Sequence, residues 1–245
     1  MNAAYSILAL AATVASLALV TAQRPKEVEA APDEARFDPV IQKVEGWTVH
    51  VDPSLLEGEH VAEGEQSLRM LGDHLHRISI LMEASRLEKL RQCEIWIERE
   101  HPKLKAMQYH PSEGWLRRHG HDRRLAKKVH ITRARALLDK GQLLKHPAVV
   151  LHELAHAYHD QFLTFEHKPT LDAYEEAMEA GLYDKVLLFN GQLVPHYAST
   201  NHKEYFAEST EAYFYRNDFY PFVRAELKEH DPLTHDLMEQ VWGKF

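Results

Sequence analysis

His152, Glu153 and His156 lie in the run Val149-Val150-Leu151-His152-Glu153-Leu154-Ala155-His156-Ala157-Tyr158, an HExxH pattern inside an apolar stretch. On a helix, side chains four residues apart stand nearly one above the other, so the two imidazoles can offer nitrogens to a single metal ion. Glu153 sits about 100° round the helix from His152, where a carboxylate can take a proton from a metal-activated water. The chemistry that suits these types and spacings is hydrolysis with one Zn2+ ion. With 18 histidines in 245 residues the bare pattern is weak, so its surroundings carry the weight. Leu151, Leu154, Ala155, Tyr158 and Phe162 share a narrow sector of the wheel, with the histidines to one side. A helix is therefore predicted over 147–163, with Pro147 in its first turn.

A catalytic zinc takes three protein ligands and leaves a position for water. His159 projects to the same side but lies about 10 Å along the axis from His152, too far for one tetrahedral site, and reads as a solvated or substrate-facing side chain. Two glutamate pairs at i, i+4 spacing remain: Glu175 with Glu179, and Glu204 with Glu208. In either pair the first carboxylate could bind metal while the second accepts a proton from a ligand imidazole, and either could equally be a charged helix face in water. Spacing does not separate them. Tyr197 favours the later pair, because a phenol just ahead of Glu204 could stabilise an oxyanion opposite the base, and nothing comparable precedes Glu175.

The run Tyr197-Ala198-Ser199-Thr200-Asn201-His202-Lys203-Glu204-Tyr205-Phe206-Ala207-Glu208 resembles the Tyr…Thr-Asn-x-x-Glu-aromatic-Phe-Ala-Glu block of the anthrax lethal factor catalytic domain and, more loosely, of Mlc titration factor A. That resemblance covers roughly residues 147–215. It implies a zincin-like peptidase of the glutamate-ligand type, with His152, His156 and Glu204 as zinc ligands. Glu153 is then the general base, Tyr197 assists at the oxyanion, and Glu208 accepts a hydrogen bond from a ligand histidine. The toxin's substrate-docking domains have no counterpart here, so its substrate preference does not carry over.

These groups need a framework. Residues 1–22 contain no charged side chain and end in Val20-Thr21-Ala22, the small-residue pattern of a signal-peptidase site, so a secretory signal is expected, with an uncleaved membrane anchor as the alternative. Residues 23–45 read as a charged, Pro-containing flexible linker, and 46–245 as one domain. Strands are predicted at 47–51, 93–98 and 129–131, the last placed to pair with extended substrate. Helices are predicted at 64–84, 171–182, 203–216 and through the C-terminus, and 186–194 as a hairpin turning at Asn190-Gly191. The fold class is α+β: a small mixed sheet, the HExxH helix, and a mostly helical C-terminal half.

A net charge of -8 argues against a general nucleic-acid binder and leaves a peptide or protein substrate as the expected partner. A secreted or extracytoplasmic setting, periplasm or cell envelope, follows from the signal, yet Cys93 is the only cysteine, so no disulfide forms within the chain. Its alternating surroundings read as a packed thiol. The basic stretch 117–128 reads as a solvated surface or as a binding surface for an acidic peptide or envelope; Asp160 as a hydrogen-bond acceptor for a ligand or a group facing water. The aromatic residues from Tyr213 to Phe222 read as core. A secreted zinc metallopeptidase is the leading reading, and a zinc-binding regulatory protein with little turnover the second.

Overall fold

Alternation sets the sheet. In the computed structural model, which describes residues 36–244, strand β2 (Trp47–Val51) buries Trp47, Val49 and Val51 on one face while Thr48 and His50 turn to the other. It pairs antiparallel with β1 (Val40–Val44) across a turn in which both Glu45 (φ 49°) and Gly46 (φ 93°) are left-handed, the geometry that matches the twist of a two-residue hairpin. Then β3 (Ile95–Ile97) joins β2 in parallel, β5 (Val129–Ile131) joins β3 in parallel, and β4 (Gln108–Tyr109) closes the far edge antiparallel to β5. The order β1-β2-β3-β5-β4 is a small mixed sheet.

Both faces of the central strands are covered, so they read as apolar runs. Val49, Ile95, Ile97, Val129 and Ile131 feed the main core, whereas Trp96 packs behind the sheet with Leu116, Leu125 and Phe37. The main core is closed by helix α1 (Val61–Leu81), whose buried positions Gly64, Ser67, Leu71, His74, Leu75 and Ile78 follow helical spacing, and by α2 (Ala84–Leu90). Glycine is required at 64, because a Cβ there would sit 1.8 Å from the Leu55 carbonyl oxygen. Behind the sheet lies α3 (Glu113–Arg118), capped by Ser112.

The C-terminal half is helical. Asp139 caps α4 (Lys140–Lys145), then comes α5 (Val149–Tyr158), continued by a π-helical turn over His159–Leu163 and stopped at Thr164 (φ 68°). Next are α6 (Lys168–Glu179), the hairpin β6 (Val186–Leu187) and β7 (Leu193–Val194), and a 3-10 turn over Tyr197–Thr200. Asn201 caps α7 (His202–Phe214), and α8 (Arg224–His230) and α9 (Pro232–Trp242) pack onto it. The chain is thus α+β, with its five-stranded sheet before α5 and mostly helices after it.

Three expectations change. The linker predicted to reach residue 45 ends earlier: Val40–Val44 is an edge strand, Arg36 pairs with Glu98, and Phe37 packs on Trp96. The strand over 129–131 is interior, so the exposed edge beside the later helices is β4 instead. The hairpin turn is one residue longer than a bare Asn-Gly turn, since Gly191 N–H donates to the Leu188 carbonyl and Leu188 N–H to Gln192, leaving a three-residue loop with Gly191 left-handed. The expected signal segment and the first part of the linker lie outside the described residues. Among the described residues, no helix is long and apolar enough to cross a membrane.

Candidate metal centre

Helix α5 is buried on nearly every side, and α7 packs directly against it. Across that contact His152 Nε2, His156 Nε2 and Glu204 Oε2 form an almost equilateral triangle. The two nitrogens are 3.1 Å apart, and each is 3.2 Å from the carboxylate oxygen. Zinc bonded to N and O ligands at about 2.0–2.1 Å in tetrahedral geometry spaces them by about 3.3 Å, so the donor set fits one such ion. Asn201 fixes the approach of Glu204 by accepting from Lys203 N–H at 2.9 Å and Glu204 N–H at 3.1 Å, which pins the first turn of α7.

Second contacts orient the ligands. His152 Nδ1–H donates to Glu211 Oε1 at 2.7 Å, and His146 Nε2–H donates to the same oxygen at 2.8 Å. A carboxylate can only accept here, so Nδ1 of His152 carries the hydrogen and Nε2 keeps the lone pair a metal needs. Glu208, expected to be that acceptor, is buried beside the pair but stands 3.6 Å from Nδ1, beyond hydrogen-bond reach. The correction is one turn further along α7: Glu211 lies seven residues after Glu204 on the same face, a spacing visible in the sequence. His146 precedes α5 and only the fold brings it in.

Charge follows this geometry. Burial opposes ionisation of Glu204, but its hydrogen bonds from His152 and His156 hold its carboxyl well below the usual range. Burial likewise works against an ionised Glu211, and His146 and His152 outweigh it; Glu208, buried next to that charge, is pushed up towards its neutral form. Burial disfavours a charged His152, yet Glu204 and Glu211 raise it well above an ordinary imidazole. In the apo chain a proton and a metal ion therefore compete for one set of lone pairs.

Glu153 is buried, and its Oε2 accepts from Tyr109 N–H of β4 at 2.8 Å. Burial lifts its pKa above the ordinary carboxylate value. Tyr197, half-exposed, lines the same cavity of about 640 Å³ as His152, Glu153, His156 and Glu204, and burial raises its pKa so that the phenol stays protonated at neutrality. All five expected site residues thus meet at one cavity.

The rejected candidates lie elsewhere. Glu175 and Glu179 are exposed on the outer face of α6. His159, expected in solvent or facing substrate, is fully buried between Phe165 and Phe206, because the chain folds back at Thr164; burial lowers its pKa to about 3. Asp160 neither holds a ligand nor faces water: it accepts from Tyr109 Oη at 2.6 Å and Lys127 Nζ at 2.5 Å. The basic stretch is partly spoken for, with Arg124 bound to Asp122 and Asp38, Lys127 to Asp160, and Lys128 to Glu94. Cys93 is buried in the core, as expected. Tyr213 and Phe214 are core, while Tyr215 is exposed with Arg77 over its ring.

Compared with protein-family models, with curated proteins and with solved structures, the chain has no match.

Proposed function

We propose that this protein is a zinc-dependent peptidase with a zincin-like fold, acting outside the cytoplasm. The observation that carries the reading is the 3.1–3.2 Å triangle of His152 Nε2, His156 Nε2 and Glu204 Oε2, with a buried carboxylate and a phenol at the same cavity. Held there, a zinc ion supplies Lewis acidity, which brings the ionisation of water to about pH 7. The chain's own residues do the rest. The carboxylate of Glu153, with its pKa raised by burial, takes a proton from the attacking water and returns it to the leaving amine. The Tyr197 hydroxyl donates to the carbonyl oxygen as negative charge grows on it. An extended peptide lies along 105–109, where β4 leaves the sheet edge open beside the cavity.

The purified protein should hold about one equivalent of zinc, and Glu153→Gln should keep the metal while losing cleavage of a peptide library. Equal cleavage by the variant would remove Glu153 from the base role. Zinc bound without any cleavage by the wild type would identify a zinc-binding regulatory protein instead.

A further inference from the structure

In a chain of net charge -8, the cavity that holds the metal cluster is lined by as many basic side chains as acidic ones, four of each. Arg133, Lys145, Lys203 and Lys105 line it, and they come from four separate places in the fold. Arg133 follows β5, Lys145 ends α4, Lys203 opens α7 beside the ligand Glu204, and Lys105 precedes the edge strand β4. Among the described residues, Arg133, Lys145 and Lys203 make no ion pair with a carboxylate. The guanidinium Nε of Arg133 is buried without a hydrogen-bond partner. Lys203 is held over the Phe165 ring, 4.1 Å from its centroid, which orders the ammonium without neutralising it. Lys105 donates to the His101 carbonyl at 3.5 Å and has Glu100 at 3.9 Å as its ion-pair partner.

The acidic side chains lining the cavity do not offset them. Glu204 sits against two imidazoles, Glu153 accepts from the Tyr109 N–H, Glu208 lies buried 3.6 Å from His152 Nδ1, and among the described residues neither Glu208 nor Asp218 forms an ion pair with any of the four cations. Asp218 acts on Lys145 through space. A concave site with low-dielectric walls focuses such a field on whatever enters.

Resting on the peptidase reading above, we propose that the substrate is an acidic peptide, whose carboxylate side chains flank the cleaved bond and are received by Arg133, Lys145, Lys203 and Lys105. The arginine offers a planar fork suited to a carboxylate, and the lysines adjustable point charges. Net charge alone would repel such a peptide from this molecule; the four cations offset that at the cavity and disfavour basic peptides.

Three fluorescent peptides of one length and one central sequence, with Glu, Gln or Lys at the flanking positions, separate the possibilities. Their binding is measured by anisotropy to full-length Glu153→Gln protein, with and without added zinc, and their cleavage is measured with the wild type. The Glu peptide should bind at least tenfold more tightly than the Gln peptide, and the Lys peptide more weakly than both. The advantage should shrink as salt rises from 0.01 to 0.15 M and the screening length falls from about 30 to about 8 Å. Combining Arg133→Gln with Lys145→Gln, in protein shown by circular dichroism to be folded, should bring the Glu-to-Gln ratio close to one. Equal binding of the Glu and Gln peptides, or no binding of any, overturns the proposal, as does an undiminished ratio in the double variant. Acid-selective binding with no cleavage by wild type overturns the peptidase reading and leaves the selectivity standing.

Discussion

Glu211 decides how His152 presents itself, and its effect can be separated from that of its neighbour. It takes hydrogen bonds from both His152 and His146, whereas Glu208 is 3.6 Å from the same imidazole nitrogen and drifts towards its neutral form. Carboxylates that orient a ligand histidine typically contribute 10- to 100-fold in metal affinity. Glu211→Gln should therefore weaken zinc binding by about that factor in a competitive chelator titration, and Glu208→Gln should change it by less than threefold. The reverse order would return Glu208 to the orienting role. Glu204→Ala should abolish tight binding and Glu175→Ala should leave it intact, since the first removes a vertex of the triangle and the second alters an exposed helix face. Two residues at this site, Glu211 and His146, differ in how far the sequence reveals them. Glu211 obeyed a heptad spacing from Glu204 that was available to be read, while His146 lies before α5, where no helical spacing links it to the histidines it supports.

Among the elements, the strands show what patterning can and cannot reveal. Trp47–Val51 alternates cleanly because one face meets the core, and Val129–Ile131 is apolar because both faces are covered. By contrast β1 is an edge strand with Val40 and Ile41 exposed, so its Val-Ile-Gln-Lys-Val lacks an apolar face and merges with the charged tract before it. Strand β4 is two residues long, and no periodicity can be read from two residues, yet it supplies the N–H that holds Glu153. The π-turn after α5 was also invisible, because sequence spacing tests for 3.6 residues per turn. Close approach leaves a sharper mark. The 3-10 turn at Pro53–Leu55 lies so close to α1 that Gly64→Ala would force a methyl into the Leu55 carbonyl. Although alanine favours helix over glycine by about 1 kcal/mol, the clash with backbone should dominate and leave the variant about 1–3 kcal/mol less stable. A urea midpoint equal to or above wild type would show that the turn moves aside at no cost.

Taken as a whole, the molecule has no disulfide to hold its halves together among the described residues, and its sole cysteine is buried in the main core. The cluster of His152, His156 and Glu204 bridges α5 and α7 with donor atoms that one ion can join, so zinc should act as the missing cross-link. An ion bound only by the folded state, at a free concentration about 1,000 times its dissociation constant, adds about 4 kcal/mol. For a domain of about 200 residues that corresponds to a rise of about 8–16 °C in Tm. Adding a chelator should lower the calorimetric Tm by that amount, and adding a reductant should leave it unchanged. Cys93 offers a second readout of the same linkage. Burial pushes its thiol up to about 12, so the folded chain presents almost no thiolate near neutrality and iodoacetamide must wait for the core to open. If the ion clamps α5 to α7, removing it raises the open population, and alkylation of Cys93 should speed up in step with the fall in Tm. Chelation that lowers neither Tm nor the protection of Cys93 would mean that the two helices hold together without a metal, leaving the ion a role in chemistry alone.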